Sequence, residues 1–208
     1  MPHYLIKLAT LLIIVVCIIL FIVTSPPIKS PIKNITPSGT NIICFGDSLT
    51  YGTGASSDMD YPAQLSRLIE EPIINAGVPG DTTAGGLLRL EKDVLSQSPR
   101  IVFIALGAND LRIGISKEVV FGNLRKMIDQ LQRRGTLVVI GGVDVPLWGK
   151  GFVKEYQKLA KETGSLIVPN VLEGILGNKA LMSDLIHPND KGYRRIAEAF
   201  HEVIRPYL

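Results

Sequence analysis

From Asn41 onward, short apolar runs alternate with longer stretches whose apolar residues recur at helical spacing. The apolar runs are Asn41–Phe45, Pro72–Asn75, Ile101–Leu106, Leu137–Gly141 and Leu166–Val168, each too short for a helix and most of them rich in β-branched residues. Runs apolar at nearly every position, not at alternate ones, belong to strands covered on both faces. Between them, Tyr61, Leu65, Leu68 and Ile69 form one helical face, and Leu87, Leu88, Leu90, Val94 and Leu95 a second. Val120, Leu124, Met127, Ile128 and Leu131 form a third, with Ser116 as its expected cap. Phe152, Tyr156, Leu159 and Ala160 make a fourth, and Tyr193, Ile196, Ala197, Phe200, Val203 and Ile204 the last. Alternating strand and helix units of this kind predict an α/β fold with a parallel sheet and helices on both faces.

The preceding residues are of another kind. Leu8 to Val23 is sixteen residues without a charge or a proline, with Lys7 before it. With Lys7 snorkelling, the run from Leu5 is long enough to span a bilayer. The lysine on the amino side favours an N-inside anchor, which puts the rest of the chain outside the cytoplasm. A cleavable signal peptide is the rival reading; an A-x-A site is missing, and Pro26 follows the best cleavage stretch, Val23-Thr24-Ser25. Pro26 to Gly39 holds four prolines among Ser, Thr, Lys and Asn, and is expected to be an extended linker. The expected division is therefore 1–25 anchor, 26–40 linker and 41–208 a single domain of about 168 residues. Asn34-Ile35-Thr36 matches a glycosylation sequon, and a chance match is the plainer reading. Lys+Arg of 22 against Asp+Glu of 19, with no basic run interleaved with aromatics, gives no footprint for nucleic acid. The two cysteines, Cys17 and Cys44, have no zinc spacing and no reason to pair.

Chemistry gathers where strands end. The first is followed by Gly46-Asp47-Ser48-Leu49, the second by Asn75-Ala76-Gly77-Val78-Pro79-Gly80-Asp81-Thr82-Thr83, and the third by Gly107-Ala108-Asn109-Asp110. In a flavodoxin-like strand order, 2-1-3-4-5, these three loops converge at the carboxyl edge of the sheet, where open α/β sheets bind ligands. Ser48 can attack an acyl carbon only with a base and with donors for the oxyanion. The chain has three histidines. His3 lies beyond the apolar segment and His201 sits well along the last helix, which leaves His187 as the base. Asp184, three residues earlier, can fix its tautomer. The backbone amides of Ser48 and Gly80 are candidate oxyanion donors, to which Asn109 can add a side-chain N–H, with glycine at 80 permitting close approach. Taken singly, Gly77, Gly80 and Asn109 read equally well as ordinary turn residues. Asp47 and Asp110 are expected to shape loops by accepting hydrogen bonds. Neither has a histidine partner at ligand spacing, so no metal is expected, and no cofactor either. Thr50 replaces the second glycine of a Gly-x-Ser-x-Gly elbow, and no phosphate-binding glycine loop occurs.

The ordered set Gly46-Asp-Ser48-Leu, Gly80-Asp-Thr, Gly107-Ala-Asn109-Asp and Asp184-x-x-His187 resembles the SGNH (GDSL) hydrolases. The likeness runs from about Ile42 to Ile204 and is greatest to the bacterial arylesterase, thioesterase and lysophospholipase branch. It implies a three-layer α/β/α sandwich with a five-stranded parallel sheet. It implies Ser48 as nucleophile, His187 as base, Asp184 as its orienter, and Gly80, Asn109 and the Ser48 amide as oxyanion hole. The family often lines its acyl pocket after strand four, so Leu147 and Trp148 either hold an acyl chain or pack on the fourth helix.

The expectation is a serine esterase acting on small-molecule or lipid acyl esters or thioesters, with no obligate protein partner. It would be tethered to a bacterial inner membrane and face outward, or be secreted if the leader is cleaved. A deacetylase of surface glycans and a non-catalytic anchored binding domain are the alternatives.

Overall fold

In the computed structural model, which describes residues 12–13, 31–145 and 151–208, the apolar runs pair as parallel strands. Among the described residues the sheet has five of them. They are β1 (Asn41–Gly46), β2 (Ile73–Gly77), β3 (Pro99–Ala105), β4 (Leu137–Gly141) and β5 (Leu166–Val168), in the order 2-1-3-4-5. Helices α1 (Ser48–Tyr51), α2 (Tyr61–Ile69), α3 (Thr83–Asp93), α4 (Ala108–Arg112), α5 (Lys117–Arg133), α6 (Phe152–Thr163) and α7 (Asp190–Ile204) lie between and after them.

Because successive side chains in a strand point to opposite faces, each buried strand feeds two cores. Ile42, Cys44, Ile101, Phe103, Leu137 and Val139 face α2 and α7, where Phe200 packs edge-on against Phe103 with ring centroids 5.1 Å apart. Ile43, Phe45, Val102, Ile104, Val138 and Ile140 face α3, α5 and α6. The result is the expected three-layer sandwich. Each fully buried aliphatic or aromatic side chain contributes roughly 1.5–3 kcal/mol, and both faces are filled this way.

The differences from the sequence reading have local causes. β2 begins one residue late, because Pro72 has no N–H for the ladder. It continues through Ala76 and Gly77, which pair with Phe45 and Gly46 of β1. Leu88 is 88% exposed, whereas Leu90 and Val94 are buried. Residues in a helix step about 100° apart, so Leu88 points away from the face that Leu90 and Val94 share. Ser116 occupies the cap position of α5 but makes no capping hydrogen bond with its side chain.

The described part of the proline-rich segment, residues 31–40, does not hang free. Lys33 N donates to Gly164 O (2.9 Å), Ser38 N to Gly135 O (3.1 Å) and Thr40 N to Ser98 O (2.9 Å). Each acceptor lies just before a strand, so the segment is a strap across the amino-terminal edge of the sheet. Asn34 Nδ2 donates to Gln132 O and Thr136 O at 3.0 and 2.9 Å, so the sequon's nitrogen is already engaged.

Of the expected membrane segment only Leu12 and Ile13 are described; His3, Cys17, Leu147 and Trp148 lie outside the described residues. Among the described residues no helix is long and apolar enough to cross a membrane.

Candidate active site

The carboxyl end of β1 is built for a tight turn. A Cβ on Gly46 would lie 2.1 Å from Thr50 Oγ1 and 2.5 Å from Ala105 O, so only glycine lets the chain fold back over the sheet here. Asp47 then caps α1, its Oδ1 accepting from Leu49 N at 3.0 Å. This puts Ser48 in the first turn of α1, at the sheet's edge. Thr50, buried beneath, has its Oγ1 within 2.9 Å of the Tyr61 hydroxyl.

His187 reaches the same point from the opposite end of the sequence. Asp184 Oδ1 accepts from the backbone amides of Ile186 (2.8 Å) and His187 (2.7 Å), which curls the segment into an Asx turn. That turn leaves Asp184 Oδ2 2.7 Å from His187 Nδ1, and His187 Nε2 3.1 Å from Ser48 Oγ. Asn189 starts α7 by accepting from Lys191 N and Gly192 N. Asp190 Oδ1 accepts from Ser56 N at 2.7 Å, and the Tyr193 hydroxyl donates to Thr53 O at 2.7 Å. These bonds pin the histidine turn to the loop after α1. Partial desolvation raises the Asp184 carboxyl, but the His187 imidazole and the Ile186 and His187 amides outweigh it and hold it below the usual carboxylate range.

Asn109, in α4, lies on the other side of Ser48. Its Nδ2 donates to Asp81 O at 2.9 Å and more loosely to Asp47 Oδ2 at 3.3 Å. Asp110 accepts from Thr83 N (2.9 Å) and Thr83 Oγ1 (2.7 Å), which joins α4 to the start of α3.

A small, partly open cleft is lined in part by Ser48, Asn109 and His187. Val143, Val145, Leu172, Leu176 and Ile186 form most of its apolar wall. Gly80 is exposed and does not line it; it joins the site through Asp81, whose carbonyl holds Asn109. A Cβ on Gly80 would meet nothing within 4 Å, and its φ is +79°. The requirement for glycine there is therefore the left-handed backbone, not crowding from the protein. The sequence reading overlooked Leu172 and Leu176. Their i, i+4 spacing in a stretch outside any strand or long helix was the available signal.

Burial pushes the Asp47 carboxyl up to about 7, against the Leu49 amide, with Asp81 adding to the rise and His187 opposing it. The unfolded chain holds the same carboxyl near 3.8. Between these values the unfolded state releases the proton first, so Asp47 stabilises the fold at acid pH and that contribution is lost as pH rises toward 7. An Asp47→Asn variant lacks this slope. Between pH 5 and pH 8 its unfolding free energy should gain on the wild type by roughly 3 kcal/mol, at about 1.4 kcal/mol per pH unit up to neutrality. Urea unfolding at the two pH values measures the difference; parallel shifts in both proteins would contradict the assignment.

Known proteins are similar over this region. The esterase TesA of Pseudomonas aeruginosa is 30% identical over 178 residues, covering 80% of this chain and 89% of that protein. An arylesterase of Vibrio mimicus is 33% identical over 168 residues, covering 76% and 84%. A crystal structure of TesA superposes with a TM-score of 0.76 at 28% identity, over 81% of this chain and 100% of that one. The family model described as the GDSL-like lipase/acylhydrolase family matches residues 44–195. That span opens inside β1, just before the Ser48 turn, and closes inside α7, just after the His187 turn, so the chain belongs to the GDSL-like lipase/acylhydrolase family.

Proposed function

We propose that Ser48, His187 and Asp184 form the catalytic triad of this serine esterase. The observation that carries the reading is the chain of contacts from Asp184 through His187 to Ser48 Oγ, with the last two groups 3.1 Å apart. Ser48 Oγ attacks the acyl carbon while His187 Nε2 takes its proton. The oxyanion that forms accepts from the Ser48 amide and Asn109 Nδ2, both of which line the cleft, with the Gly80 amide in the adjoining turn as the third donor. For this Asn109 gives up its looser bond to Asp47. His187 then protonates the leaving oxygen or sulfur, an acyl-Ser48 ester remains, and water activated by the same imidazole releases the acid. No cofactor enters this scheme.

The apolar wall of Val143, Val145, Leu172, Leu176 and Ile186 favours an acyl chain longer than acetyl, which argues for ester or thioester hydrolysis over glycan deacetylation. A binding domain without catalysis has no use for the ordered triad. A fluorophosphonate probe should label Ser48 in the folded protein, and kcat/KM on p-nitrophenyl esters should rise from acetyl to hexanoyl. Absence of labelling would favour the binding domain, and a monotonic fall from acetyl the deacetylase.

The reading extends to location. The hydrolase domain occupies 41–208, with the strap of residues 31–40 docked on it, and residues 1–25 anchor it to the membrane. The strap meets the edge opposite Ser48. Residues 26–30 reach at most about 18 Å when extended, whereas a domain of this size is roughly 40 Å across. A tethered domain therefore turns its cleft away from the bilayer that holds it, toward soluble or facing substrates.

A further inference from the structure

Arg89 lies midway along α3, and neither its position nor its neighbours in sequence point to the site. In the fold its side chain is 16% exposed, and its guanidinium carbon sits 4.1 Å from the centre of the Phe45 ring. Nε donates to Asp81 Oδ2 at 2.7 Å. Nη1 donates to Ala76 O at 2.9 Å and to Asp93 Oδ2 at 3.1 Å, and Nη2 to Gly46 O at 2.8 Å. Three of these acceptors belong to the pieces of chain that form the site: the end of β1 just before Asp47 and Ser48, the end of β2, and the turn that follows Gly80. Asp81 is the meeting point, because its carbonyl also accepts from Asn109 Nδ2 at 2.9 Å. The first turn of α3 is shaped to this carboxylate: a Cβ on Gly85 would lie 2.0 Å from Asp81 Oδ1.

We propose that Arg89 is a positioning residue that sets the oxyanion donors against Ser48, by tying the Gly80-Asp81 turn to the Gly46 carbonyl. The proposal rests on the esterase reading of Ser48. Its physical basis is that oxyanion donors act only when their distance to the developing charge is fixed beforehand. Gly80 and Asn109 both hang on Asp81, in an exposed turn with no strand of its own. One planar fork of donors meeting acceptors on three chain segments removes that freedom. Lysine carries the same charge but a single flexible donor group and cannot satisfy the three together.

Arg89→Lys should lower kcat by about 10- to 100-fold, somewhat less than deleting an oxyanion donor outright, with KM within about threefold of wild type. Affinity for an alkylboronic acid, which forms a tetrahedral adduct on the serine, should fall by the same factor as kcat. Asp81→Asn cuts the same tie from the other end while leaving the carbonyl that holds Asn109, and should reproduce the split. The double variant should be no worse than the poorer single one. If Arg89→Lys does not fold, Asp81→Asn alone carries the test. A kcat within about twofold of wild type, or a loss explained by a smaller folded fraction with boronate affinity intact, overturns the proposal. Failure of the esterase reading shows separately, as wild-type protein that neither hydrolyses esters nor takes up the fluorophosphonate.

Discussion

Ser48→Ala protein should fold as the wild type does and hydrolyse p-nitrophenyl butanoate about 10⁴- to 10⁶-fold more slowly. In the proposed mechanism the hydroxyl forms the acyl intermediate, and the helix around it does not depend on it: Asp47 caps α1 through Leu49 N, and Thr50 packs beneath. What survives should be the slow attack of water on an ester held by the oxyanion donors. Initial rates on purified protein, with circular dichroism as the control for folding, measure the loss. A rate within about tenfold of wild type would mean that another group attacks the ester, and the assignment of the whole cleft would fail with it.

His187→Ala should cost nearly as much, and adding it to Ser48→Ala should cost almost nothing more. On the proposed mechanism base and nucleophile act in one proton transfer, so either loss removes the same step. Among the described residues the other histidine is His201, in the last turn of α7, so no second imidazole is placed to take over. Rates for the two single variants and the double variant on one ester decide the matter. If the His187→Ala rate stays within about a hundredfold of wild type, or if the two losses multiply, the contact between His187 and Ser48 is not the catalytic one.

Much of the architecture is legible in the sequence. The strands and most of the helical faces announced themselves through hydrophobic period, a signal that repeats within a few residues. β2 is instructive at its end. Ala76 and Gly77 have the composition of a turn, yet the ladder with Phe45 and Gly46 extends the strand through them. Leu88 is the opposite case, an apolar residue left on the surface because the buried face of α3 passes through Leu90. The strap was also beyond composition. Prolines and small polar residues describe an extended linker, and it is the carbonyls of Ser98, Gly135 and Gly164 that dock its described part on the domain.

In the site, the residue types and the turns that carry them were readable: the serine after a glycine at a strand's end, and an aspartate that caps the histidine turn three residues on. These are short-range chemistry, so the chain by itself determined them. Only the tertiary structure decided which turns meet. Ser48 and His187 are 139 residues apart, and the strand order together with the packing of α7 on α2 brings them to 3.1 Å. The same holds for Arg89, which joins Gly46, 43 residues away, to the turn behind Gly80. Local sequence specifies donors and acceptors, but their pairing across the sheet follows from how the buried layers stack, and no window of a few residues contains that information.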